Sequence, residues 1–215
     1  MKRREFSQQL AAGGLLLAAG GLAQAQGGPV EGTHYVKLSQ PAPVSPAAGK
    51  KIEVVEFFWY ECPHCNAFEP ALEGWVARLP ADVDFKRVPV GFSARHQIGQ
   101  KAYYALEEMG LLETMHKRVF AAIHVQGQRL LSEKAYVDFM AANGVDGEKF
   151  GAAFRGFSVN TKANRARQLS DAYKIDGVPA LGVQGRFYTS GSLAGGADRM
   201  LAVTSFLVER VRKGG

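Results

Sequence analysis

The sequence predicts an α/β fold with three consecutive parts: a strand–helix–strand unit, a block of helices, and a unit of two strands and a helix. Residues 52–60 form an apolar run broken by only two glutamates, which is typical of a strand buried on both faces of a sheet. Pro63 follows this run and begins a stretch with apolar residues at helical spacing. The chain has 215 residues, so it has room for one domain or two closely joined ones.

Composition favours a globular chain and excludes several classes of protein. Hydrophobic residues make up 47% and charged residues 21% of the sequence, which supplies a buried core and rules out general disorder. The formal net charge of +6 is scattered along the chain, so we expect no nucleic-acid partner. Two cysteines are too few for a disulfide-rich scaffold.

Residues 1–25 carry the three-part pattern of an export signal. A basic start at residues 2–4 is followed by an uncharged, apolar run over residues 10–23, and small residues then stand at the two positions that a signal peptidase reads. The alternative is a membrane anchor, but a run of about 14 residues is shorter than the ~20 that span a bilayer. We therefore expect cleavage after Ala25 and a location in the periplasm, where disulfides persist.

Each remaining element is predicted from its own pattern. Residues 35–38 are expected to form a short edge strand, and residues 83–90 a second long strand. The helices expected next share apolar residues at three- and four-residue spacing: residues 94–109, 111–124, 132–143, 147–154 and 160–173. Two short strands, 180–183 and 186–189, then form a hairpin through Gln184-Gly185, and residues 197–211 close the chain as a helix.

The motif Cys62-Pro63-His64-Cys65 lies at the junction of the buried strand and its helix. Two cysteines separated by two residues on a first helical turn can close into a disulfide. Cys62 lies beside unpaired backbone N–H groups and the positive end of the helix dipole, which both stabilise a thiolate, and the thiolate is the nucleophile. His64 adds a donor or a positive charge, so we expect a low pKa for Cys62 and a strongly oxidising disulfide.

Three other interpretations of the cysteine pair are weaker. A structural disulfide that closes such a small ring removes little unfolded-state entropy. A zinc site needs further ligands, and the histidines elsewhere in the chain form no paired motif. The third alternative is a pair of buried, inert thiols. The spacing, the strand–helix context and the export signal together favour redox activity, with no metal.

The segment from Glu56 to Cys65, with the sequence EFFWYECPHC, resembles the active-site segment of the DsbA family, periplasmic thiol:disulfide interchange proteins. The resemblance covers roughly residues 35–212 and implies a thioredoxin fold with an inserted α-helical domain. It implies a discontinuous thioredoxin-like domain, residues 26–91 and 166–215, around a helical insertion at 92–165. The family is itself a reference case for a depressed cysteine pKa and an oxidising disulfide.

The same resemblance assigns roles outside the motif. It implies a cis bond at Val178-Pro179, opposite the disulfide, where the backbone can pair with an extended substrate. It also places Glu56 behind Cys65, where a buried carboxyl with a raised pKa could help to move that cysteine's proton.

Other conspicuous residues are interpreted as structural. We expect Glu53 and Glu61 to face solvent, and most of the aromatic residues around the motif to belong to the core, with Trp59 or Tyr60 nearest the surface. Four histidines are taken as ordinary residues: His34, His96, His116 and His124.

The expected function is donation of the Cys62-Cys65 disulfide to newly exported, unfolded proteins. The resemblance implies reoxidation by a DsbB-like membrane quinone reductase and requires no bound cofactor. A monomer is expected, because residues 26–51 are too few for the separate dimerisation domain that the related isomerases carry. The alternatives are a disulfide isomerase or reductase, a thiol-based metal carrier, and a substrate-holding binding protein.

Overall fold

A computed structural model describes residues 27–45 and 49–215, so the expected export signal lies outside the described residues. The strands are β1 (Val36–Lys37), β2 (Ile52–Phe58), β3 (Val83–Pro89), β4 (Ala180–Val183) and β5 (Phe187–Ser190). The helices are α1 (Pro63–Val76), α2 (Ala94–Glu108), α3 (Leu112–His124), α4 (Glu133–Ala142), α5 (Gly147–Arg155), α6 (Phe157–Ala172), α7 (Gly191–Ala194) and α8 (Ala197–Arg212). None of the helices in this part of the chain is long and apolar enough to cross a membrane.

The strands form one mixed sheet in the order β1-β5-β4-β2-β3. Strands β2 and β3 run parallel and are connected through α1, which confirms the predicted strand–helix–strand unit. Strand β4 pairs antiparallel with β2, β5 with β4, and β1 with β5. The short strand expected near residues 35–38 therefore forms one edge of the sheet.

Strand β2 is the central positioning element, because every one of its residues is buried. Val55 and Phe57 pack with the block of helices α2–α6, whereas Ile52 and Val54 pack with α1 and α8 on the other face. This alternation is the normal consequence of the two-residue period of a strand. Burial on both faces also forces two carboxylates of β2 into the interior.

The expectation that Glu53 faces solvent is therefore wrong. Its carboxylate is buried, forms an ion pair with Lys86, and accepts a hydrogen bond from the Ser45 N–H over 2.8 Å. A glutamate on a strand that is covered on both sides has no open face to point towards, so it needs such partners.

The helices α2–α6 lie between β3 and β4 in the chain. Two of them begin with side-chain caps: Ser132 accepts from the Ala135 N–H over 3.2 Å, and Asp146 from the Lys149 N–H over 3.0 Å. The domain boundaries at residues 91/92 and 165/166 stay a prediction, and residue 165 lies inside the continuous helix α6.

The β4–β5 hairpin has the tight turn that its sequence allows. Gln184 and Gly185 both have positive φ angles, 50° and 61°, which is the pattern of a type I′ turn. A Cβ atom on Gly185 would lie 2.2 Å from the Ala42 carbonyl oxygen, so only glycine fits there. The hairpin in turn positions Val178-Pro179, directly before β4.

Candidate active site

The two cysteines lie where β2 leads into α1. Cys62 is the N-cap residue, with extended backbone angles (φ −80°, ψ 115°), and Pro63 is the first helical residue, where its missing N–H costs no hydrogen bond. The Cys65 N–H donates to the Sγ of Cys62 over 3.4 Å. The sulfur of Cys62 thus takes the place that a Ser or Asp oxygen usually takes at a helix start. Both cysteines are free thiols in the structure.

The environment of Cys62 favours its thiolate. The hydrogen bond with the Cys65 side chain is the largest cause, and the backbone N–H groups of Cys65 and His64 and the charge of His64 act in the same direction. Together they overcome the cost of partial burial and lower the pKa of Cys62 to about 6. A cysteine with this pKa is largely thiolate at neutral pH and is a good leaving group.

The environment of Cys65 favours its protonated form. Cys65 is fully buried, whereas Cys62 retains 7% exposure. Burial, followed by the hydrogen bond and the charge of Cys62, raises the pKa of the Cys65 thiol far above its ordinary value, and the charge of Glu56 adds to this effect. The pair therefore divides into one accessible thiolate and one shielded thiol.

The peptide bond between Val178 and Pro179 is cis, and the loop faces Cys62. The Cys62 thiol donates to the Val178 carbonyl oxygen over 3.4 Å. A groove of about 500 Å³ opens beside this contact. Its lining comes from α1, from the 176–179 loop and from the region between β5 and α8, and includes His64, Phe68, Pro179 and Met200.

A buried cluster of charged residues lies behind the cysteines. Glu56 is fully buried on β2, Glu69 is buried on α1, and Arg87 reaches between them from the neighbouring position on β3. The Arg87 Nε lies 3.1 Å from Glu56 Oε2, and an Arg87 Nη group donates to Glu69 Oε2 over 3.0 Å. The Arg87 guanidinium is therefore shared as an ion-pair partner by both carboxyl groups.

The two carboxyl groups of this cluster titrate in opposite directions. Burial, together with the charge of Glu69, raises the pKa of Glu56 to about 8 against the opposing effect of Arg87. Burial also opposes the ionisation of Glu69, but its contacts with His116 and Arg87 hold its pKa below the ordinary value. At neutral pH Glu56 is thus mostly protonated and Glu69 is ionised.

His116 on α3 extends the cluster towards residues 59–62, which connect β2 to α1 and are called the cysteine loop. Its Nε2 lies 3.5 Å from Glu69 Oε1, and its Nδ1 lies 2.9 Å from the Tyr60 hydroxyl oxygen. His124 on the same helix lies 2.7 Å from the Tyr60 carbonyl oxygen. The helical block therefore contacts the segment before Cys62 through two histidines, and the expectation that both are ordinary residues overlooked these contacts.

One further expectation about this segment, that Glu61 faces solvent, needs correction. Tyr60 is buried and does not lie near the surface, because its ring packs against Phe58 and Phe120 and its hydroxyl pairs with His116. Glu61 does not face open solvent either, because Arg95 pairs with its carboxylate. Trp59 is partly exposed, as the sequence predicted for one of the two aromatics.

Trp59 lies at the edge of the helical block next to the cysteine loop. Its ring centroid lies 4.2 Å from that of His96, and the Arg95 guanidinium lies 5.5 Å from the Trp59 ring centre. Phe92, which is exposed, also packs against His96, with ring centroids 5.3 Å apart. This side of the cysteine loop is thus aromatic and cationic.

Sequence reasoning missed Arg87, Glu69 and His116. Glu69 stands four residues after Cys65, so its position on the same helical face was a usable signal. The pairing of Glu56 with Arg87 depends on strand register, and the approach of His116 depends on how α3 packs against the sheet, so neither had a local sequence signal. Within residues 27–45 and 49–215, no group of three or more His, Cys, Asp or Glu side chains is arranged to hold a metal ion.

Comparisons with known proteins agree with this geometry. A family model described as DSBA-like thioredoxin domain matches residues 53–208. Similar curated proteins include the thiol:disulfide interchange protein DsbA of Burkholderia cepacia, 42% identical over 184 residues and 86% of each chain. The protein of the same name from Bordetella parapertussis is 46% identical over 161 residues, which cover 75% of this chain and 76% of the relative.

A solved structure gives the same result at the level of the fold. The crystal structure of Pseudomonas aeruginosa DsbA matches with a TM-score of 0.82 at 39% identity, and the match covers 86% of this chain and 95% of that one. The sequence resemblance, the fold and the family model therefore agree, and this chain belongs to the DsbA family of thiol:disulfide interchange proteins.

Proposed function

We propose that the protein donates the Cys62-Cys65 disulfide to exported proteins and so oxidises their cysteine pairs. The observation that carries this proposal is the opposite environment of the two sulfurs: the pKa of Cys62 is lowered to about 6, and that of Cys65 is raised. A stabilised Cys62 thiolate favours the reduced protein. The disulfide is then a strong oxidant, because its reduction forms the stabilised thiolate.

The first step of the proposed reaction breaks the protein disulfide. A substrate thiolate attacks the Sγ of Cys62, a mixed disulfide forms between substrate and Cys62, and Cys65 leaves as a thiolate. Because burial disfavours that thiolate, it takes up a proton. Glu56, which is buried and protonated at neutral pH, is the acid that supplies this proton and becomes a carboxylate paired with Arg87.

The second step transfers the disulfide to the substrate. A second substrate thiolate attacks the substrate sulfur of the mixed disulfide, and Cys62 leaves as a thiolate. The substrate has then lost two electrons, and the protein has gained them as a Cys62 thiolate and a Cys65 thiol. The hydrogen bonds from the Cys65 and His64 N–H groups stabilise the departing Cys62 sulfur.

The groove beside Val178-Pro179 is the proposed binding place for the substrate chain. The backbone of Val178 lies next to the Cys62 sulfur and directly before β4, so an extended segment that pairs with it lies within reach of Cys62. Ala67, Pro179 and Ala197 offer accessible apolar contact in the groove. Such a site suits unfolded proteins because it recognises backbone and general apolar character.

The proposed setting is the periplasm, where the protein acts as a monomer after removal of residues 1–25. A membrane quinone reductase of the DsbB kind is the proposed oxidant that restores the disulfide. The support for this setting is the export-signal pattern, the oxidising chemistry of the cysteine pair and the family to which the chain belongs.

A redox equilibrium tests the proposal most directly. The protein is equilibrated with glutathione buffers, and the fraction with two free thiols is measured by alkylation and mass spectrometry. We expect a midpoint above the ~−180 mV of protein disulfide isomerase. We also expect the oxidised protein to remove two thiols from a reduced, unfolded protein at an equimolar ratio. A midpoint below that of the isomerase, or a failure to oxidise the unfolded protein, would contradict disulfide donation.

A further inference from the structure

The buried cluster contains more carboxyl groups than positive charges to pair with them. Glu56 and Glu69 are both buried, and Arg87 is the guanidinium that contacts each of them. If both carboxyl groups were ionised beside a neutral His116, the cluster would carry an unpaired negative charge in the interior. Burial makes that arrangement costly, so the two carboxyl groups share one proton at neutral pH.

The contacts determine which carboxyl group holds the shared proton. Glu69 accepts a hydrogen bond from Arg87 over 3.0 Å, and its other oxygen lies 3.5 Å from His116 Nε2. Glu56 has the Arg87 ion pair at 3.1 Å, but neither of its oxygens accepts a well-aligned hydrogen bond in the described part of the chain. The negative charge is therefore better stabilised on Glu69 than on Glu56, and Glu56 holds the proton.

The neighbours of His116 determine where its ring proton lies. Nε2 faces a Glu69 carboxylate oxygen, which can only accept, so we assign the ring proton to Nε2; Nδ1 then accepts from the Tyr60 hydroxyl, which lies 2.9 Å away. The separation of 3.5 Å is longer than a standard hydrogen bond, but Nε2 and Glu69 Oε1 are both buried and have no other partner among the described residues. Within residues 27–45 and 49–215, each is thus the group placed to satisfy the other.

We propose that His116 is a positioning residue that keeps the shared proton on Glu56 by donating its Nε2–H to Glu69. The proposal rests on the function proposed above, in which Glu56 supplies a proton to Cys65. Without this donor, Glu69 holds its negative charge less well and competes for the proton. Part of the shared proton then moves from Glu56 to Glu69, which leaves less protonated Glu56 to act as the acid.

The charged and titratable groups around His116 are consistent with a neutral ring. Burial lowers the pKa of His116, and the charge of Arg87 acts in the same direction against the carboxylates. The groups that face it come from every neighbouring element: Glu69 and Glu73 on α1, Arg87 on β3, Tyr103 on α2, and Tyr60 in the cysteine loop. A neutral His116 can donate to Glu69 while Glu56 keeps its proton. A protonated His116 would be a second cation in the cluster and would favour ionisation of both carboxyl groups.

The test is a titration of Glu69 in the reduced protein by ¹³C NMR of labelled glutamate carboxyl groups. The Glu69 signal is assigned by its loss in Glu69→Gln. His116→Phe removes the donor and keeps an aromatic ring among Phe58, Tyr103 and Phe120. We expect the midpoint of Glu69 in His116→Phe to rise by about one pKa unit, because the lost donor acts on Glu69 directly and one pKa unit is the usual effect of one lost hydrogen bond to a charged group.

Two further variants separate this role from a general disturbance of α3. His116→Gln keeps a donor of similar reach, and we expect a midpoint near that of the wild type. His124→Leu removes the other α3 histidine that contacts Tyr60, and it too is expected to leave the Glu69 midpoint unchanged. His116→Asn replaces His116→Phe if the latter fails to fold, because its shorter side chain also cannot reach Glu69.

An unchanged Glu69 midpoint in the folded His116→Phe and His116→Asn variants would overturn the proposal. The NMR titration needs no substrate, so its result tests the role of His116 whether or not the protein donates disulfides.

Discussion

The two ends of the Cys-Pro-His-Cys motif show how three residues of sequence can separate two chemical environments. On the outer side, Cys62 caps α1, its sulfur accepts hydrogen bonds from backbone N–H groups, and its pKa falls to about 6. On the inner side, Cys65 is one turn further along the same helix and has no exposure, and its pKa rises. The helix start thus stabilises the thiolate of Cys62, whereas burial in the core keeps Cys65 in its protonated, unreactive form.

The inner environment has a second feature that the outer one lacks. Behind Cys65 lies a cluster in which Glu56 and Glu69 share Arg87, and this cluster holds a proton at neutral pH. The outer side is thus built to stabilise a negative charge, and the inner side to supply a proton. Disulfide exchange needs both, because the attack on Cys62 expels Cys65 as a thiolate.

The largest effect on activity is expected when each of the two cysteines is replaced in turn, because each has a different role in disulfide transfer. Cys62→Ala should abolish disulfide transfer, since the shielded Cys65 cannot meet a substrate. Cys65→Ala should leave Cys62 reactive and accumulate mixed disulfides with a disulfide-bonded test peptide, because no neighbouring thiol can release them. Non-reducing electrophoresis and peptide mass spectrometry distinguish the two. Adduct formation through Cys65 in Cys62→Ala at the rate seen for Cys62 would contradict the assignment.

The largest effect on stability is expected from the inner cluster. Arg87→Met leaves the Glu69 carboxylate buried without its cation, so the free energy of unfolding at neutral pH should fall by about 3–5 kcal/mol. The matched control is Lys134→Met, which breaks an exposed ion pair with Asp138 on α4 and should cost less than about 0.5 kcal/mol. Denaturant melts measure both.

A second-site change sharpens the prediction for Arg87. Glu69→Gln in the Arg87→Met background removes the uncompensated charge and should recover most of the lost stability. Lower pH should also reduce the defect, because protonation of Glu69 neutralises it. A loss that is the same in both backgrounds would show that Arg87 stabilises the fold through its side-chain contacts alone.

The two sides should also respond to pH with opposite signs. The lowered pKa of Cys62 means that the reduced protein gains stability as pH rises from about 6 towards the unfolded cysteine pKa, and loses it as pH falls through about 6. The raised pKa of Glu56 contributes stability that is full below its unfolded pKa and is lost as pH rises through about 8.

Melts of both redox forms separate these contributions. The Cys62 contribution exists only in the reduced form, so the difference in unfolding free energy, reduced minus oxidised, should increase from about pH 6 to about pH 8.5. Glu56→Gln should remove the decline that Glu56 causes at higher pH in the wild type. A reduced-minus-oxidised difference that stays flat with pH would show that the Cys62 thiolate is not stabilised by folding.

The smallest effect is expected from His64. Its charge is a minor cause of the lowered pKa of Cys62, behind the hydrogen bonds from Cys65 and the backbone. His64→Ala should therefore raise the pKa of Cys62 by less than about one unit, and move the redox midpoint by less than roughly 30 mV in the reducing direction. Thiolate absorbance against pH measures the first, and glutathione equilibration the second. A shift of several units would assign His64, and not the helix start, the main role.

The outer side of the site was predictable because its determinants are local. A buried strand, a proline at the first helical position and two cysteines at this spacing are adjacent in the chain, so their geometry follows from the strand-to-helix transition. The hairpin at Gln184-Gly185 and the edge strand near residue 36 were predictable for the same reason.

The sequence by itself determined the order of the strands and of the seven longer helices, the cysteine pair at the start of α1 and the buried character of β2, but not the short helix α7. Only the tertiary structure decided which polar groups meet inside: that Arg87 lies beside Glu56 and Glu69, that His116 reaches Glu69, and that Glu53 is buried with Lys86. Periodicity shows which residues face a core, but it carries no information about their partners. Partners come from strand register and from helices far away in the chain, and burial then makes each such pairing decisive for where protons are held.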